Sequence, residues 1–322
     1  MRCWPLLALL SALALLGCPG EGDDDSTVAD DDTTADDDTT ADDDATADDD
    51  DATADDDDDD TVVTGDWVSV SAGYWHTCAV RADGTVACWG WNDEGQTDAV
   101  EGTFTRVVAS EGHSCGHRTD GSIACWGRDH IEQSNPPEGS FAHMSVGYWH
   151  GCAAPTTGDL ECWGWDYYEQ ISSVDAGGTV SLAGVSHTCA LQESGEVLCW
   201  GRNHEGQSDP PALTFTTIDG HYQHNCGLLD DATVACWGWD HYGQATPPEG
   251  EFTQVSAGYG HSCGIRADGS LDCWGWDFYD QASPPAGEFR DVSAGFEHTC
   301  GVTTAGELLC WGRDQYGQSS LL

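Results

Sequence analysis

Fourteen of the sixteen cysteines of this chain recur in two series with a constant spacing of 37 residues, and a histidine stands two residues before each cysteine of the first series. The first series is Cys78, Cys115, Cys152, Cys189, Cys226, Cys263 and Cys300; the second is Cys88, Cys125, Cys162, Cys199, Cys236, Cys273 and Cys310. Such thiols can form disulfide bonds or, together with imidazole, bind zinc. A constant period of this length indicates a repeat protein, so one repeat unit must position each set of groups.

One repeat predicts three β-strands. Trp67 to Ala72 alternates apolar and polar residues, which is typical of a strand. His76 to Arg81 and Thr85 to Gly90 predict a second and a third strand, joined by the hairpin loop at 82–84. A polar and aromatic loop follows from Trp91 to Thr103. No segment shows a sustained helical period, so the chain is expected to be all-β.

The predicted hairpin places the two cysteines of a repeat opposite each other. A three-residue loop pairs Arg81 with Thr85, so Cys78 faces Cys88 at a separation compatible with a disulfide. The same spacing in all seven repeats predicts seven such bonds within hairpins. Zinc is the alternative, but these pairs are not C-x-x-C knuckles, and a hairpin brings one cysteine pair per repeat to a point instead of four ligands. We therefore expect no metal and no cofactor.

Three further residues are constant within the chain. They are the histidines (His76, His113, His150, His187, His224, His261, His298), the tryptophans (Trp89, Trp126, Trp163, Trp200, Trp237, Trp274, Trp311) and the glutamines (Gln96, Gln133, Gln170, Gln207, Gln244, Gln281, Gln318). Because a catalytic group is usually needed once, seven copies predict hydrogen bonding and packing. The residue after the first cysteine is always Ala or Gly, and we expect it to leave room for the indole.

Residues 1–17 are expected to form a lipoprotein signal peptide. Arg2 precedes an apolar run from Leu6 to Leu16, which is too short to span a bilayer permanently. The run ends in Leu15-Leu16-Gly17-Cys18, which resembles the lipobox of bacterial lipoproteins and implies cleavage before Cys18 and lipidation of Cys18. The alternative is ordinary signal cleavage, which would leave Cys18 as a free, reactive thiol.

Residues 18–60 are expected to form a disordered acidic tether. Between Asp23 and Asp60 there are 22 aspartates among Ala and Thr residues, a composition that cannot bury a core and repels itself. Weak calcium binding is an alternative, although no stretch carries the pattern of a calcium loop. Residues 61–322 hold the repeats, with 35 acidic residues, 8 arginines and a net charge of −27. This charge argues against a nucleic-acid partner.

The repeat resembles that of the regulator of chromosome condensation family. The resemblance rests on Ser71-Ala72-Gly73, His76-Thr77-Cys78-Ala79-Val80, Cys88-Trp89-Gly90 and Gly95-Gln96, and it recurs seven times over residues 67–322. It implies a seven-bladed β-propeller. At 37 residues the repeat is similar in length to that of the secreted bacterial β-lactamase inhibitor protein II, which implies blades of three strands.

Two details of this propeller are further expectations. Gly178 stands where the other repeats have Phe or Trp, so the fourth repeat departs most from the pattern. Thr61 to Asp66 matches the loop that the last repeat lacks after Leu322, so this segment is expected to complete the final blade.

The resemblance implies a binding scaffold, since family members use propeller faces to inhibit enzymes, contact small GTPases or bind chromatin. The last two roles do not suit an exported acidic chain. Aromatic residues that vary between repeats are the candidate binding residues, because loops rich in such residues anchor protein interfaces. They are Trp75, Trp91, Trp149, Trp165, Tyr167, Tyr168, Trp239, Tyr242, Trp276, Phe278, Tyr279 and Tyr316. Packing between blades is the alternative for Trp91 and its equivalents.

No enzymatic activity is expected, because the chain has no G-x-S-x-G, no H-E-x-x-H and no phosphate-binding loop. Aromatic rings beside Asp and Asn would also suit a carbohydrate ligand, and abundant carboxylates leave an extracellular glycosidase as a second alternative. The sequence therefore predicts a monomeric, surface-exposed lipoprotein of the outer membrane. Its propeller is expected to bind an unknown protein or glycan at the cell surface, and a protein partner is favoured.

Overall fold

The computed structural model describes residues 65–156, 158–172 and 178–320, and only the backbone of residues 178–181. The predicted signal peptide, Cys18, the acidic tether and Thr61 to Thr64 lie outside these residues. The described residues form twenty-one β-strands, and none of them belongs to a helix that could cross a membrane.

Each repeat contributes three consecutive strands. The first strands are β1 (Trp67–Ala72), β4 (Phe104–Ala109), β7 (Phe141–Val146), β10 (Gly178–Ala183), β13 (Phe215–Gly220), β16 (Phe252–Ala257) and β19 (Phe289–Ala294). The second strands are β2 (His76–Arg81), β5 (His113–Arg118), β8 (His150–Pro155), β11 (His187–Gln192), β14 (His224–Leu229), β17 (His261–Arg266) and β20 (His298–Thr303). The third strands are β3 (Val86–Gly90), β6 (Ile123–Gly127), β9 (Glu161–Gly164), β12 (Val197–Gly201), β15 (Val234–Gly238), β18 (Leu271–Gly275) and β21 (Leu308–Gly312).

The three strands of each repeat form one antiparallel sheet in chain order, and the predicted strands are confirmed. In the first repeat Val80 pairs with Val86, Cys78 with Cys88 and His76 with Gly90. The third strand begins at Val86, one residue later than predicted, because Thr85 lies in the hairpin turn and its carbonyl accepts a hydrogen bond from Arg81 N. The Cys spacing therefore predicts the register of every hairpin.

The seven sheets form a closed ring, which makes the chain a seven-bladed β-propeller. Each first strand contacts the first strand of the next repeat, and β19 of the last blade contacts β1 of the first. Across this seam Trp67 N donates to Gly306 O, as Phe104 N donates to Gly84 O between the first two blades. The last and first blades are therefore joined by the same backbone hydrogen bond that joins the first two blades.

Aromatic rings fill the spaces between blades, and the small residue after the first cysteine leaves room for more than the indole. A Cβ on Gly116, which follows the first cysteine of its repeat, would lie 2.4 Å from Cδ1 of Phe104. The equivalent Gly264 faces Phe252 at 2.6 Å in the same way. The small residue leaves room for the aromatic ring of the first strand, and the constant indole packs beside that ring, at 6.2 Å for Trp126 and Phe104.

Candidate binding face

The constant histidines join neighbouring blades. His76 Nε2 lies 2.8 Å from Ser114 Oγ, and Ser114 Oγ donates to the carbonyl of Gln96 at 3.0 Å, so the imidazole is the donor. His298 makes the same contact with Thr77 across the seam. Burial lowers the pKa of His76 to about 3, which keeps the ring neutral near pH 7. These histidines are therefore structural, as their repetition predicts.

Blade 3 breaks this pattern. Gly151 occupies the position that Thr77 and Ser114 hold in their blades. A Cβ at this glycine would lie 2.3 Å from the indole of Trp163. Among the described residues, no hydrogen-bond partner is present for either ring nitrogen of His113. Burial lowers the pKa of His113 to about 3. This histidine therefore packs in the core without the inter-blade hydrogen bond.

The constant glutamines and tryptophans fix the loops that follow the third strands. Gln96 Oε1 accepts a hydrogen bond from Glu94 N at 3.0 Å, and Trp126 Nε1 of the next blade donates to Gln96 O at 2.8 Å. The equivalent bonds recur from blade to blade. Each loop is therefore held by a bond within itself and by the indole of the next blade, which gives a rigid base for the variable residues.

The cysteines stabilise the hairpins. The structure contains all seven disulfide bonds within repeats, from Cys78–Cys88 to Cys300–Cys310. Sulfur atoms bonded to each other are not available to a metal. In the described part of the chain, no three or more His, Cys, Asp or Glu side chains form a group that could hold a metal ion.

The variable aromatic residues come together at one end of the propeller, which we call the loop face. It comprises the turns after the first strands and the loops after the third strands, which are joined by bonds such as Trp91 N to Trp75 O at 2.8 Å. The structure places every candidate binding residue there in three clusters. They are Trp75, Trp91 and Tyr316; Trp149, Trp165, Tyr167 and Tyr168; and Trp239, Tyr242, Trp276, Phe278 and Tyr279.

These clusters combine supported and exposed rings. Trp165 stacks on Tyr167 with 5.5 Å between ring centroids and an interplanar angle of 10°. Tyr167 is 73% exposed and Phe278 75%, whereas Trp165 is half-buried. Tyr242 and Tyr316 are exposed by 44% and 38%. The half-buried indoles therefore fit a packing role in part, whereas the neighbouring rings project into solvent.

A further set of aromatic rings, the axial cluster, lies where the first strands end. It consists of Tyr74, Tyr148, Tyr222, Tyr259 and Phe296. Tyr74 of the first blade lies 5.8 Å from Tyr148 of the third. Since these blades are not adjacent in the ring, their contact crosses the propeller axis. Burial raises the pKa of Tyr74 and Tyr148 above the ordinary range.

Four aspartates of the loop face hold their own loops through hydrogen bonds. Asp166 Oδ1 accepts a hydrogen bond from Ile171 N at 2.8 Å, and its Oδ2 accepts one from Ser172 Oγ at 2.7 Å. Asp240, Asp277 and Asp314 hold their own loops by the same pair of bonds. These carboxylates stabilise the loops, so they are poor candidates for the carboxylates that hold a sugar or act in hydrolysis.

Several repeats of the chain are similar in sequence to a known protein family. Four segments, residues 67–96, 179–207, 252–281 and 289–318, match the Regulator of chromosome condensation (RCC1) repeat. The chain carries RCC1 repeats. No curated protein sequence matches the chain.

The RCC1-repeat propeller is similar to several solved structures. The CRINKLY WD40 ectodomain of the Arabidopsis thaliana receptor kinase ACR4 is 27% identical, with a TM-score of 0.67, over 80% of this chain and 100% of that chain. The ectodomain of the Physcomitrella patens receptor kinase CR4 is 24% identical, with a TM-score of 0.66, over 77% and 74%. Prp20p of Saccharomyces cerevisiae, which was studied for binding to Gsp1p and histones, is 14% identical, with a TM-score of 0.62, over 77% and 82%.

Sequence reasoning found the loop-face residues, and the variation of Tyr222 and Tyr259 between repeats groups them with those residues, but it missed the residues inside the ring. Asp219 and His221 replace residues that are Ser, Val, Leu or Gly at the equivalent positions of the other repeats. That local departure from the 37-residue pattern could have identified them.

Proposed function

We propose that the chain is a cell-envelope lipoprotein whose RCC1-repeat propeller binds a protein partner through its loop face without catalysing a reaction. The observation that carries the proposal is the pairing of exposed rings with supported ones, as in Tyr167 on Trp165. Interface energy is concentrated in a few aromatic anchors, and anchors held by a rigid scaffold lose little entropy on binding.

A protein partner is favoured over a glycan. Sugar sites combine aromatic platforms with free polar side chains, and the loop aspartates near these rings, such as Asp166 and Asp277, are bonded within their own loops. The net charge of −27 over residues 61–322 favours a partner with a basic contact surface. A glycan array and a panel of glycosidase substrates test the carbohydrate and hydrolase alternatives.

The loop-face prediction uses a triple variant, Trp165→Ala, Tyr167→Ala and Tyr168→Ala. We expect capture of the partner in a pull-down with cell-surface proteins to fall at least tenfold, since each anchor contributes about 2 kcal/mol or more. The melting temperature should change little, because these side chains are partly or largely exposed. Leu213→Ala, an exposed residue outside the clusters, is the matched control and should capture normally.

Trp163→Ala supplies the opposite control. Its indole is buried and donates to Gln133 O, so its loss should lower stability by about 3–5 kcal/mol. The face assignment is wrong if the triple variant melts early, or if it melts normally and captures the partner fully.

The location of the protein is a separate part of the proposal. The lipobox-like Leu15-Leu16-Gly17-Cys18 supports a lipid anchor, and the acidic tether would extend the propeller away from an anionic membrane surface. We propose display on the outer membrane, a setting comparable to the ectodomains to which the propeller is similar.

The anchor is tested by Cys18→Ser. We expect the variant to move from the membrane fraction to the soluble fraction, because the thiol that carries the lipid is lost. Cys3→Ser, which changes the other cysteine outside the repeats, is the matched control and should leave the protein on the membrane. An unchanged membrane fraction for Cys18→Ser would refute the anchor and leave the loop-face proposal intact.

A further inference from the structure

A cavity of about 590 Å³ runs along the propeller axis. First strands of all seven blades contribute to its wall. The axial cluster crosses the axis at the loop face, where Tyr74 stacks on Phe296 at 3.6 Å and Tyr259 lies 4.2 Å from Phe296. The accessible entrance is therefore at the opposite end, beside the hairpin loops. This volume is in the range of pockets that hold small molecules.

An arginine without a carboxylate partner lies near that entrance. Arg106, the third residue of β4, lines the cavity and donates from Nη1 to His143 Nε2 at 3.0 Å. In the same layer both oxygens of Asp291 are occupied, Oδ2 by Val70 N at 2.9 Å and Oδ1 by Gln254 Nε2 at 2.8 Å. Arg106 forms no ion pair within the described ranges, whereas Arg128, Arg266 and Arg313 all pair with carboxylates. Burial raises the pKa of Asp291, and the charge of Arg106 opposes this rise from a distance too long for an ion pair.

This arrangement leaves most of the guanidinium donors of Arg106 free. A guanidinium offers five N–H donors in a fixed fork, and one of them is used by His143. Five of the eight arginines of residues 61–322 form no ion pair within the described ranges, and Arg106 is the one of these five that lines the cavity. Its free donors match a carboxylate, which such a fork can bind with two parallel bonds.

A carboxylate faces the cavity from the opposite side. Asp219, the fifth residue of β13, lines the cavity beside His221. Its equivalents in the other repeats are Ser71, Val108, Ser145, Leu182, Ser256 and Ser293. Asp219 Oδ2 accepts a hydrogen bond from Ala257 N at 2.9 Å, as Ser256 Oγ accepts one from Ala294 N at 3.1 Å. A serine at this position could therefore accept the same hydrogen bond. Asp219 adds a second oxygen and a negative charge.

The two charged side chains belong to blades on opposite sides of the cavity. Arg106 is in the second blade and Asp219 in the fifth, which is as far around a ring of seven as two blades can be. Asp219 is also two residues further along its strand, which is a rise of about 6.6 Å. The charged ends of a ligand that reaches both must therefore be several ångströms apart. An extended peptide spans at most about 3.3–3.6 Å per residue, so a peptide of two or three residues reaches roughly 7–11 Å.

We propose that the axial cavity binds a short peptide of two or three residues with free ends, its carboxylate on Arg106 and its ammonium group on Asp219. The cavity is separate from the loop face, so this site is independent of the protein partner proposed above. Small residues, including Ala72, Ala183 and Ala257, form part of the wall and leave room there for short side chains.

Calorimetric titration of the intact, disulfide-bonded protein tests the proposal. The probes are dialanine and trialanine, with N-acetyl-trialanine and trialanine amide as analogues that lack one charge each. We expect saturable binding of at least one free peptide and at least tenfold weaker binding of both blocked analogues. Absence of saturable binding by the free peptides, or equal binding of either analogue, overturns the proposal without any variant.

Two variants assign the ends of the ligand. Asp219→Ser restores the residue that other repeats use to accept the same hydrogen bond, and Arg106→Gln removes the charge while keeping a polar side chain. Each substitution should weaken the binding of the free peptide at least tenfold, while the melting temperature stays near that of the wild type. Arg202→Gln, which changes an arginine of the loop face, should bind normally. The site would be refuted if either Asp219→Ser or Arg106→Gln bound the free peptide within twofold of the wild type.

Discussion

At the scale of single residues, the constant positions form a relay of hydrogen bonds between blades. In the fourth blade Thr188 Oγ1 donates to Gln170 O at 2.7 Å and accepts from His150 Nε2 at 2.8 Å. Each hydroxyl thus satisfies a buried imidazole of one blade and a buried carbonyl from the loop that precedes it. The cost of losing such a group is high because both partners stay buried without water.

Thr188→Val tests this relay. The substitution keeps the shape of the side chain and removes the hydroxyl, so His150 and the Gln170 carbonyl both lose a partner. We expect the free energy of unfolding to fall by about 1–3 kcal/mol in urea titrations. Thr214→Val, at an exposed threonine with no hydrogen bond described for its side chain, should change stability by less than about 0.5 kcal/mol. Equal effects of the two substitutions would contradict the relay.

At the scale of the elements, the hairpin of the second and third strands is the stable unit of a blade. Its register pairs one buried and one half-buried cysteine, as for Cys226 and Cys236, within a loop of 11 residues. The blades are small, and a sheet of three strands has little core of its own. The disulfide compensates by limiting the conformations of the unfolded hairpin.

Removal of one bond should have a measurable effect. We expect Cys226→Ala combined with Cys236→Ala to lower the free energy of unfolding by about 2.5–3 kcal/mol, from the loop-closure entropy of 11 residues. Urea titration under non-reducing conditions measures this change, and peptide mapping confirms that the other six bonds are intact. An unchanged midpoint, or bonds between different repeats in the mapped protein, would contradict this account of the hairpin.

At the scale of the whole molecule, the closed ring buries the seven constant histidines as neutral imidazoles. Burial lowers the pKa to about 3 for His76, His113, His150, His224 and His298, and to about 4 for His187 and His261. The ordinary histidine pKa is 6.5. Below pH 6.5 the unfolded chain therefore binds protons that the propeller does not, and stability falls as the pH falls toward the folded pKa values.

We therefore expect the propeller to lose stability steeply between pH 6.5 and pH 5.0, by up to about 1.4 kcal/mol per pH unit for each buried histidine. Melting temperatures measured from pH 7.5 to pH 5.0 check this slope, in a range where ordinary carboxylates stay largely ionised. His113→Gln removes one buried histidine whose ring makes no hydrogen bond within the described residues. The variant should therefore lose less stability per pH unit than the wild type, by up to about 1.4 kcal/mol. A flat profile would refute the account.

Much of this architecture could be predicted from local pattern alone. Alternation from Trp67 to Ala72 and the ten-residue step from Cys78 to Cys88 determine the strands and the hairpin register, because side chains alternate with a period of two. Repetition at 37 residues carries that result to all seven blades. The loop position of Tyr167 and Phe278 followed in the same way, since both come just after a third strand.

Only the tertiary structure decided which residues meet across the ring. Arg106 and Asp219 stand 113 positions apart in the chain, and they share one cavity because seven blades close around an axis. The repeat period specifies each blade by itself, whereas contacts over the axis depend on the closed ring, which no single repeat contains.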